Sequence, residues 1–125
     1  MKVITLKQPW ATLVAEGIKK FEFRSWKTKY RGKILIHAGK GVHKEELIKF
    51  KSLNLEFPKE KILAEAEIID CLILTKELNE EIINEKNIAY GDKVRTGYAW
   101  KLDNVKKVES DKIIKGKLGL WNLEV

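Results

Sequence analysis

Apolar and polar residues alternate along several segments of the chain, and this two-residue repeat is typical of a β-strand with one buried face. The segments with strand character are 2–6, 20–26, 32–39, 61–74, 97–108 and 115–125. Within the longest of them, Glu65 and Glu67 share a face that turns apolar further along. That change of face predicts a bend or bulge midway through the strand.

A repeat of three to four residues between apolar positions predicts short helices elsewhere. The first is predicted within QPWATLVAEG, where Pro9 suits the first turn and Gly17 can adopt the left-handed conformation that ends a helix. Its apolar stripe consists of Trp10, Leu13 and Val14. Two further helices are predicted, an amphipathic one at 43–53 and an acidic one at 76–87.

About six strands with interspersed short helices predict an α+β fold, and a sheet that curls into a small barrel would leave few exposed edges. The chain of 125 residues contains no Gly/Ser/Pro linker or internal repeat. We therefore expect residues 1–125 to form a single domain.

Composition narrows the class of protein. The single cysteine, Cys71, permits no intramolecular disulfide and fits a reducing cytoplasm. No apolar run approaches the roughly 20 residues that cross a bilayer, so we expect a cytoplasmic protein with no membrane partner. The formal net charge of +7 suggests a polyanionic partner such as RNA, although a lysine-rich solubilising surface would give the same number.

The segment GIKKFEFRSW contains the main candidate site. On a strand, Glu22 and Arg24 lie on one face, about 6.5–7 Å apart, and Trp26 shares their parity. Arg24 can then orient the Glu22 carboxylate and still offer donors to a phosphate or a base edge. An ordinary surface ion pair is the alternative. The phenylalanines at 21 and 23 are expected to fill the barrel interior, with the charges facing a cleft beside the first helix.

Lys19 follows Gly17 at the turn from helix to strand, which places it at the mouth of this cleft. Lys7, Gln8 and Trp10 precede or open the helix, where Gln8 can read a base edge and Trp10 can stack on a base or pack in the core. Trp26 is expected to be the exposed tryptophan of the four. The two histidines lack cysteine partners at ligand spacing, so no metal and no cofactor are expected.

The run LKQPWATLVAEGIKKFEFRSW, with YRGKILIHAGK, GYAWKLDNV and KGKLGLWNL after it, resembles the ASCH domain family, small relatives of the PUA RNA-binding barrel. The most specific element is G-x-K-x-x-E-x-R, here Gly17, Lys19, Glu22 and Arg24. The resemblance implies a PUA-like barrel, a cleft lined by these motif residues, and binding of RNA or a modified nucleoside or nucleotide.

Some members of the family resemble amidohydrolases that deacylate the exocyclic amine of an N4-acylated cytidine. By position, Lys19 would be the base of such an enzyme and Glu22 stands where those relatives carry a threonine nucleophile. A later glutamate, Glu65 or more plausibly Glu67, would complete the site. The sequence thus predicts a nucleic-acid-binding module with a basic cleft, with a hydrolase or a ribonuclease as the alternative activity.

Overall fold

The computed structural model describes residues 1–124. Its elements are β1 (Lys2–Gln8), α1 (Trp10–Ala15), β2 (Phe21–Arg24), β3 (Gly32–Val42), α2 (Lys44–Lys49), β4 (Lys61–Ile73), α3 (Lys76–Asn84), β5 (Tyr98–Lys107) and β6 (Leu120–Asn122). A short 3₁₀ helix, Lys51–Leu53, follows α2. The prediction of an α+β fold with six strands and short flanking helices is confirmed.

The six strands form one mixed sheet in the order β2-β5-β4-β3-β1-β6. Strands β1 and β3 run parallel, and the other neighbours are antiparallel. The register of β4 against β5 shifts between Glu65 and Glu67 and again between Ile68 and Asp70. The predicted irregularity midway through β4 is therefore confirmed.

The sheet is curled but not closed into a barrel. Among the described residues, β2 and β6 remain the two edges and do not pair with each other. A side chain bridges the gap instead, because Arg24 Nη2 on β2 donates a hydrogen bond to the carbonyl oxygen of Thr5 on β1 at 3.1 Å. This curl brings the two ends of the sheet around one cavity.

Helix α1 separates two hydrophobic clusters. Its Ala11, Val14 and Ala15 pack with the inner face of the sheet, including the fully buried Trp100. On the other side, Leu13 packs in a second cluster of aromatic and aliphatic side chains. The predicted stripe is thus divided between two cores, because α1 is covered on more than one side.

The charges of β2 face a cleft, as expected, but the expectation that Phe21 and Phe23 fill the barrel interior was wrong. Glu22 pairs across the sheet with Trp100, so the charged face of β2 is the face that points into the curled sheet. Phe21 and Phe23 point the other way and pack in the second cluster. They remain half-buried, whereas Glu22 is only 8% exposed.

The last strand is much shorter than predicted. The segment predicted as a strand at 115–125 contains only β6, and residues 115–119 follow an irregular path. Its last residue, Val125, lies outside the described residues. The carbonyl of Ile114 accepts a hydrogen bond from His37 Nε2, and the backbone nitrogen of Ile114 donates to Glu60 at 2.8 Å. These bonds hold the start of the segment against β3 and Glu60, and residues 115–119 do not extend β6 along β1.

Candidate functional site

A cleft of about 770 Å³ lies at the curled edge of the sheet. Its walls come from segments distant in sequence: β1, the first residue of α1, β2, the end of β3, α2, the loop at 88–95 and the loop at 117–119. Lys19, Glu22 and Arg24 all line this one cleft. The three residues singled out by their motif therefore converge on a concave site.

The end of α1 positions Lys19. Gly17 has a φ of +75°, and the backbone nitrogens of Ile18 and Lys19 both donate to the carbonyl of Leu13, at 2.9 and 3.0 Å. This tight turn reverses the chain and directs Lys19 between two aromatic rings. Its Nζ lies 5.1 Å from the centre of the Phe23 ring and 5.9 Å from that of Trp10. The residue is 3% exposed.

Glu22 links the two cations of the site. Its Oε1 lies 2.8 Å from Lys19 Nζ, and its Oε2 accepts a hydrogen bond from Arg24 Nε at 3.1 Å. Arg24 Nη2 lies 3.0 Å from the same Oε2. Because Nη2 also donates to Thr5 on β1, the guanidinium is fixed from two directions. We call Lys19, Glu22 and Arg24 the ion triad.

Burial and charge act in opposite directions on these groups. Burial alone would raise the pKa of Glu22, but the adjacent Lys19 and Arg24 charges outweigh it and hold the pKa below its usual range. The pKa of Lys19 is lowered, chiefly by burial and in addition by the Arg95 and Arg24 charges, against the opposing effect of the Glu22 carboxylate. The carboxylate is thus firmly ionised, and the Lys19 ammonium loses its proton more readily than an exposed lysine does.

The entrance of α1 contributes in part to the cleft. Lys7 is exposed and lines it. Trp10 lines it too, and its ring also packs edge-on against Phe50 and His43, each at 6.1 Å. Trp10 therefore packs against neighbouring rings and also forms part of the cleft wall.

Gln8 is not brought to the cleft surface. It is fully buried, its Nε2 donates to the carbonyl of Pro58 at 2.8 Å, and its Oε1 accepts from the backbone nitrogen of Thr12 at 3.0 Å. Both ends of the amide are thus engaged by the chain itself. Gln8 orients the start of α1 and leaves no group for a ligand edge.

Glu65 and Glu67 also lie away from the cleft. On β4 the residues Ala64, Ala66 and Ile68 are buried in the inner cluster, and the two glutamates alternate with them on the opposite face. Glu65 pairs with Lys33 at 3.7 Å there. Neither glutamate lines the cavity that contains the ion triad.

Sequence reasoning missed the contribution of the loop at 88–95. The hydroxyl oxygen of Tyr90 accepts hydrogen bonds from the backbone nitrogens of Lys20 and Phe21, at 2.6 and 3.0 Å, and so fixes the start of β2. Burial raises the pKa of this phenol. Arg95 places its guanidinium carbon 4.3 Å from the centre of the Phe23 ring and bonds to the Tyr90 carbonyl at 3.0 Å. No local motif marks these residues, because they reach β2 only through the fold.

Within residues 1–124, no group of three histidine, cysteine or acidic side chains is arranged to hold a metal ion. Over the same part of the chain, no helix has the length and apolar character needed to cross a membrane.

The fold and the site together define a small α+β domain of the PUA-like class, with an ion triad in a cleft beside its first helix. The chain belongs to the ASCH domain family, whose profile matches residues 4–112. The sequence-based identification of the family is thereby confirmed.

Similarity to curated proteins is confined to part of their length. Activating signal cointegrator 1 of Mus musculus is 35% identical over 81 residues, a match that covers 55% of this chain and 14% of that protein. The Homo sapiens protein of the same name is 33% identical over 81 residues, with the same coverage. The chain therefore spans about a seventh of the length of these relatives.

Proposed function

We propose that the protein binds nucleic acid, most specifically RNA, in the cleft that contains the ion triad. The observation that carries this proposal is the charge of the cleft lining. The basic residues of the lining are Lys7, Lys19, Arg24, Lys40, Lys49, Lys93, Arg95 and Lys117, and the acidic ones are Glu22, Glu46 and Asp92. Such an excess of cations around a concave site attracts a phosphate backbone.

Arg24 supplies the most specific contact in this proposal. Glu22 and Thr5 hold its Nε and Nη2, and its Nη1 makes no hydrogen bond to any residue in 1–124. A guanidinium held in this way keeps the N–H donors of Nη1 for a phosphate oxygen or a base edge. Its orientation is already fixed before a ligand arrives, so little side-chain entropy is lost on binding.

The aromatic residues of the cleft suit the rest of a nucleotide. Trp10 and Phe23, both half-buried, line the same cavity, and flat rings that keep part of their surface exposed stack on bases. A volume of about 770 Å³ lies within the range of small-molecule and cofactor sites. Membership of the ASCH family supports RNA as the class of nucleic acid.

The test compares Arg24→Ala with Lys20→Ala in binding a fluorescently labelled RNA oligonucleotide, measured by anisotropy. Lys20 is the matched control because it is an exposed lysine four residues away that does not line this cleft. We expect Arg24→Ala to weaken binding by on the order of tenfold or more, since charge-assisted hydrogen bonds contribute roughly 1.5–3 kcal/mol. Lys20→Ala should change the affinity little.

Equal losses in the two variants would reduce the site to diffuse charge attraction and contradict the proposal. Thermal melting of each variant shows whether the fold is retained.

A second candidate function, hydrolysis of an N4-acylated cytidine, is favoured by one observation. Burial lowers the pKa of Lys19 inside the cleft, which is the change that a general base requires. Glu22 replaces the threonine nucleophile of hydrolase relatives, so a water activated by a base would have to attack the amide. Incubation with N4-acetylcytidine, followed by chromatography, tests this: no release of cytidine, or release that persists in Lys19→Ala, rules it out.

A further inference from the structure

One rim of the cleft carries two exposed apolar side chains from separate parts of the chain. Trp26, just after β2, is 39% exposed, and Leu118 in the loop before β6 is 98% exposed. The loop that carries Leu118 passes close to Trp26, since a side chain added at Gly119 would come within 3.9 Å of the Trp26 ring. Leu118 and Gly119 line the cleft, whereas Trp26 does not line it and adjoins it beside Gly119.

The Trp26 side of this rim rests on the core. The ring of Trp26 packs edge-on against that of Trp100, with centres 4.6 Å apart and an angle of 88° between the planes. Trp100 is fully buried, and its Nε1 donates to the Trp26 carbonyl at 3.2 Å. The indole is therefore held in place while part of its surface faces solvent.

The loop that carries Leu118 is held against β1 by the residues before and after it. Before it, Gly116 packs so closely on Thr5 and His37 that an added Cβ would lie 2.7 Å from Thr5 Oγ1. After it, Trp121 Nε1 donates to the same Thr5 Oγ1 at 3.0 Å. Leu118 thus projects from a short loop anchored to β1 twice.

Cations flank the apolar rim. Arg24 lies on the cleft side, with its Cζ 6.0 Å from the centre of the Trp100 ring on which Trp26 also packs. Lys117 adjoins Leu118, and the exposed Lys27 follows Trp26. An aromatic surface bordered by positive charge is the combination that binds single-stranded nucleic acid, where unpaired bases stack and phosphates meet the cations.

We infer that the rim formed by Trp26 and Leu118 is a second subsite, on which an unpaired base stacks as a single strand leaves the cleft. This inference rests on the proposed function and deepens it, because it specifies a single-stranded ligand longer than one nucleotide. A duplex offers no exposed base face to Trp26 along its length, so the subsite selects against it.

The experiment measures the anisotropy of a labelled 12-nucleotide single-stranded RNA and of the same sequence as a duplex, with the wild-type chain and three variants. We expect the wild type to prefer the single strand. Trp26→Leu, which keeps an apolar side chain but removes the ring, should weaken single-strand binding by about tenfold. Trp26→Phe should restore most of the affinity. Ile69→Ala, at an apolar position outside the cleft that is 41% exposed and so matches Trp26, should have no effect.

The outcomes separate this inference from the proposed function. If Arg24→Ala abolishes binding but Trp26→Leu does not change it, the cleft binds nucleic acid and the rim subsite is refuted. A duplex bound as tightly as the single strand also refutes it. If the wild type binds neither form at low salt, the proposed function itself fails. The affinity of a mononucleotide, measured by competition, should be the same in Trp26→Leu as in the wild type, because a single nucleotide occupies only the cleft.

Discussion

At the scale of the residue, Glu22 is the group on which the site depends. It is a buried carboxylate, and each of its oxygens receives a hydrogen bond from a different cation of the ion triad. Taking a charge out of water is costly, and a buried ion pair compensates only when both partners are present. Removing one partner leaves the other charged and unpaired, so the triad should fail as a unit.

Glu22→Gln is therefore expected to lower the free energy of unfolding by about 3 kcal/mol or more, because Lys19 is left as a buried cation without its counter-charge. Urea unfolding followed by fluorescence measures this. The matched control is Glu65→Gln, which removes a carboxylate on the more exposed face of β4, 3.7 Å from Lys33. An exposed pair of that kind contributes less than about 1 kcal/mol. A similar loss in both variants would show that burial of the triad has no special energetic weight.

The same carboxylate predicts how stability depends on pH. The pKa of Glu22 is lower in the folded protein than in the unfolded chain, so the unfolded chain takes up the proton first as the pH falls. The contribution of Glu22 is complete above about pH 4.5, near the pKa of an unperturbed glutamate, and is lost as the pH drops through the lower, folded value. Unfolding free energies between pH 6 and pH 3 should fall less steeply in Glu22→Gln than in the wild type. Parallel curves would contradict the assignment.

At the scale of the element, the irregular segment before β6 fixes one wall of the cleft. Gly116 lies against the half-buried Thr5 and the fully buried His37, which already bond to each other, since Thr5 Oγ1 lies 3.1 Å from His37 Nδ1. A methyl group at 116 would meet Thr5 at 2.7–2.8 Å and His37 at 3.0 Å. Neither neighbour can move without disturbing that hydrogen bond. The close approach therefore requires glycine for reasons of space.

Gly116→Ala should accordingly destabilise the protein by about 1–3 kcal/mol, the usual cost of overpacking. Gly41→Ala is the control: its added methyl group would also be crowded, at 2.8 Å, but only by the exposed and flexible side chain of Lys7. We expect a much smaller change there. Differential scanning calorimetry of the two variants compares them directly, and equal melting temperatures would refute the packing argument.

Particular elements show what the sequence could and could not predict. Alternation located the strands, and Gly17 correctly ended α1. The same alternation could not say which face of β2 is inside, because both faces are covered: one by the curled sheet and the other by the second cluster. The length of β6 was missed because tertiary contacts to His37 hold the preceding segment. Tyr90 and Arg95 join the site across about 70 residues of chain, where no local pattern gives a signal.

At the scale of the whole molecule, the curl of the sheet and the net charge of +7 both bear on whether nucleic acid would bind at one site or over the whole surface. The Arg24 bond to Thr5 connects an edge strand to β1 across the opening of the sheet, and cations gather around the cleft that results. A basic protein attracts nucleic acid with its entire surface. A specific site differs from that general attraction because the charges that touch phosphate are a defined subset, and each of them releases counterions on binding.

Two double variants with the same net charge distinguish these cases. Lys7→Gln/Lys93→Gln removes two exposed lysines that line the cleft, and Lys20→Gln/Lys101→Gln removes two exposed lysines that do not. For single strands, the slope of log K against log salt concentration is about −0.7 for each phosphate contact. The cleft variant should therefore lose about 1.4 from the magnitude of the slope, and the control should keep the wild-type slope. Anisotropy titrations with one RNA between about 50 and 300 mM salt measure the slopes of both variants. If the two variants lose slope equally, nucleic acid is held by the net charge alone and the cleft has no privileged part in binding it.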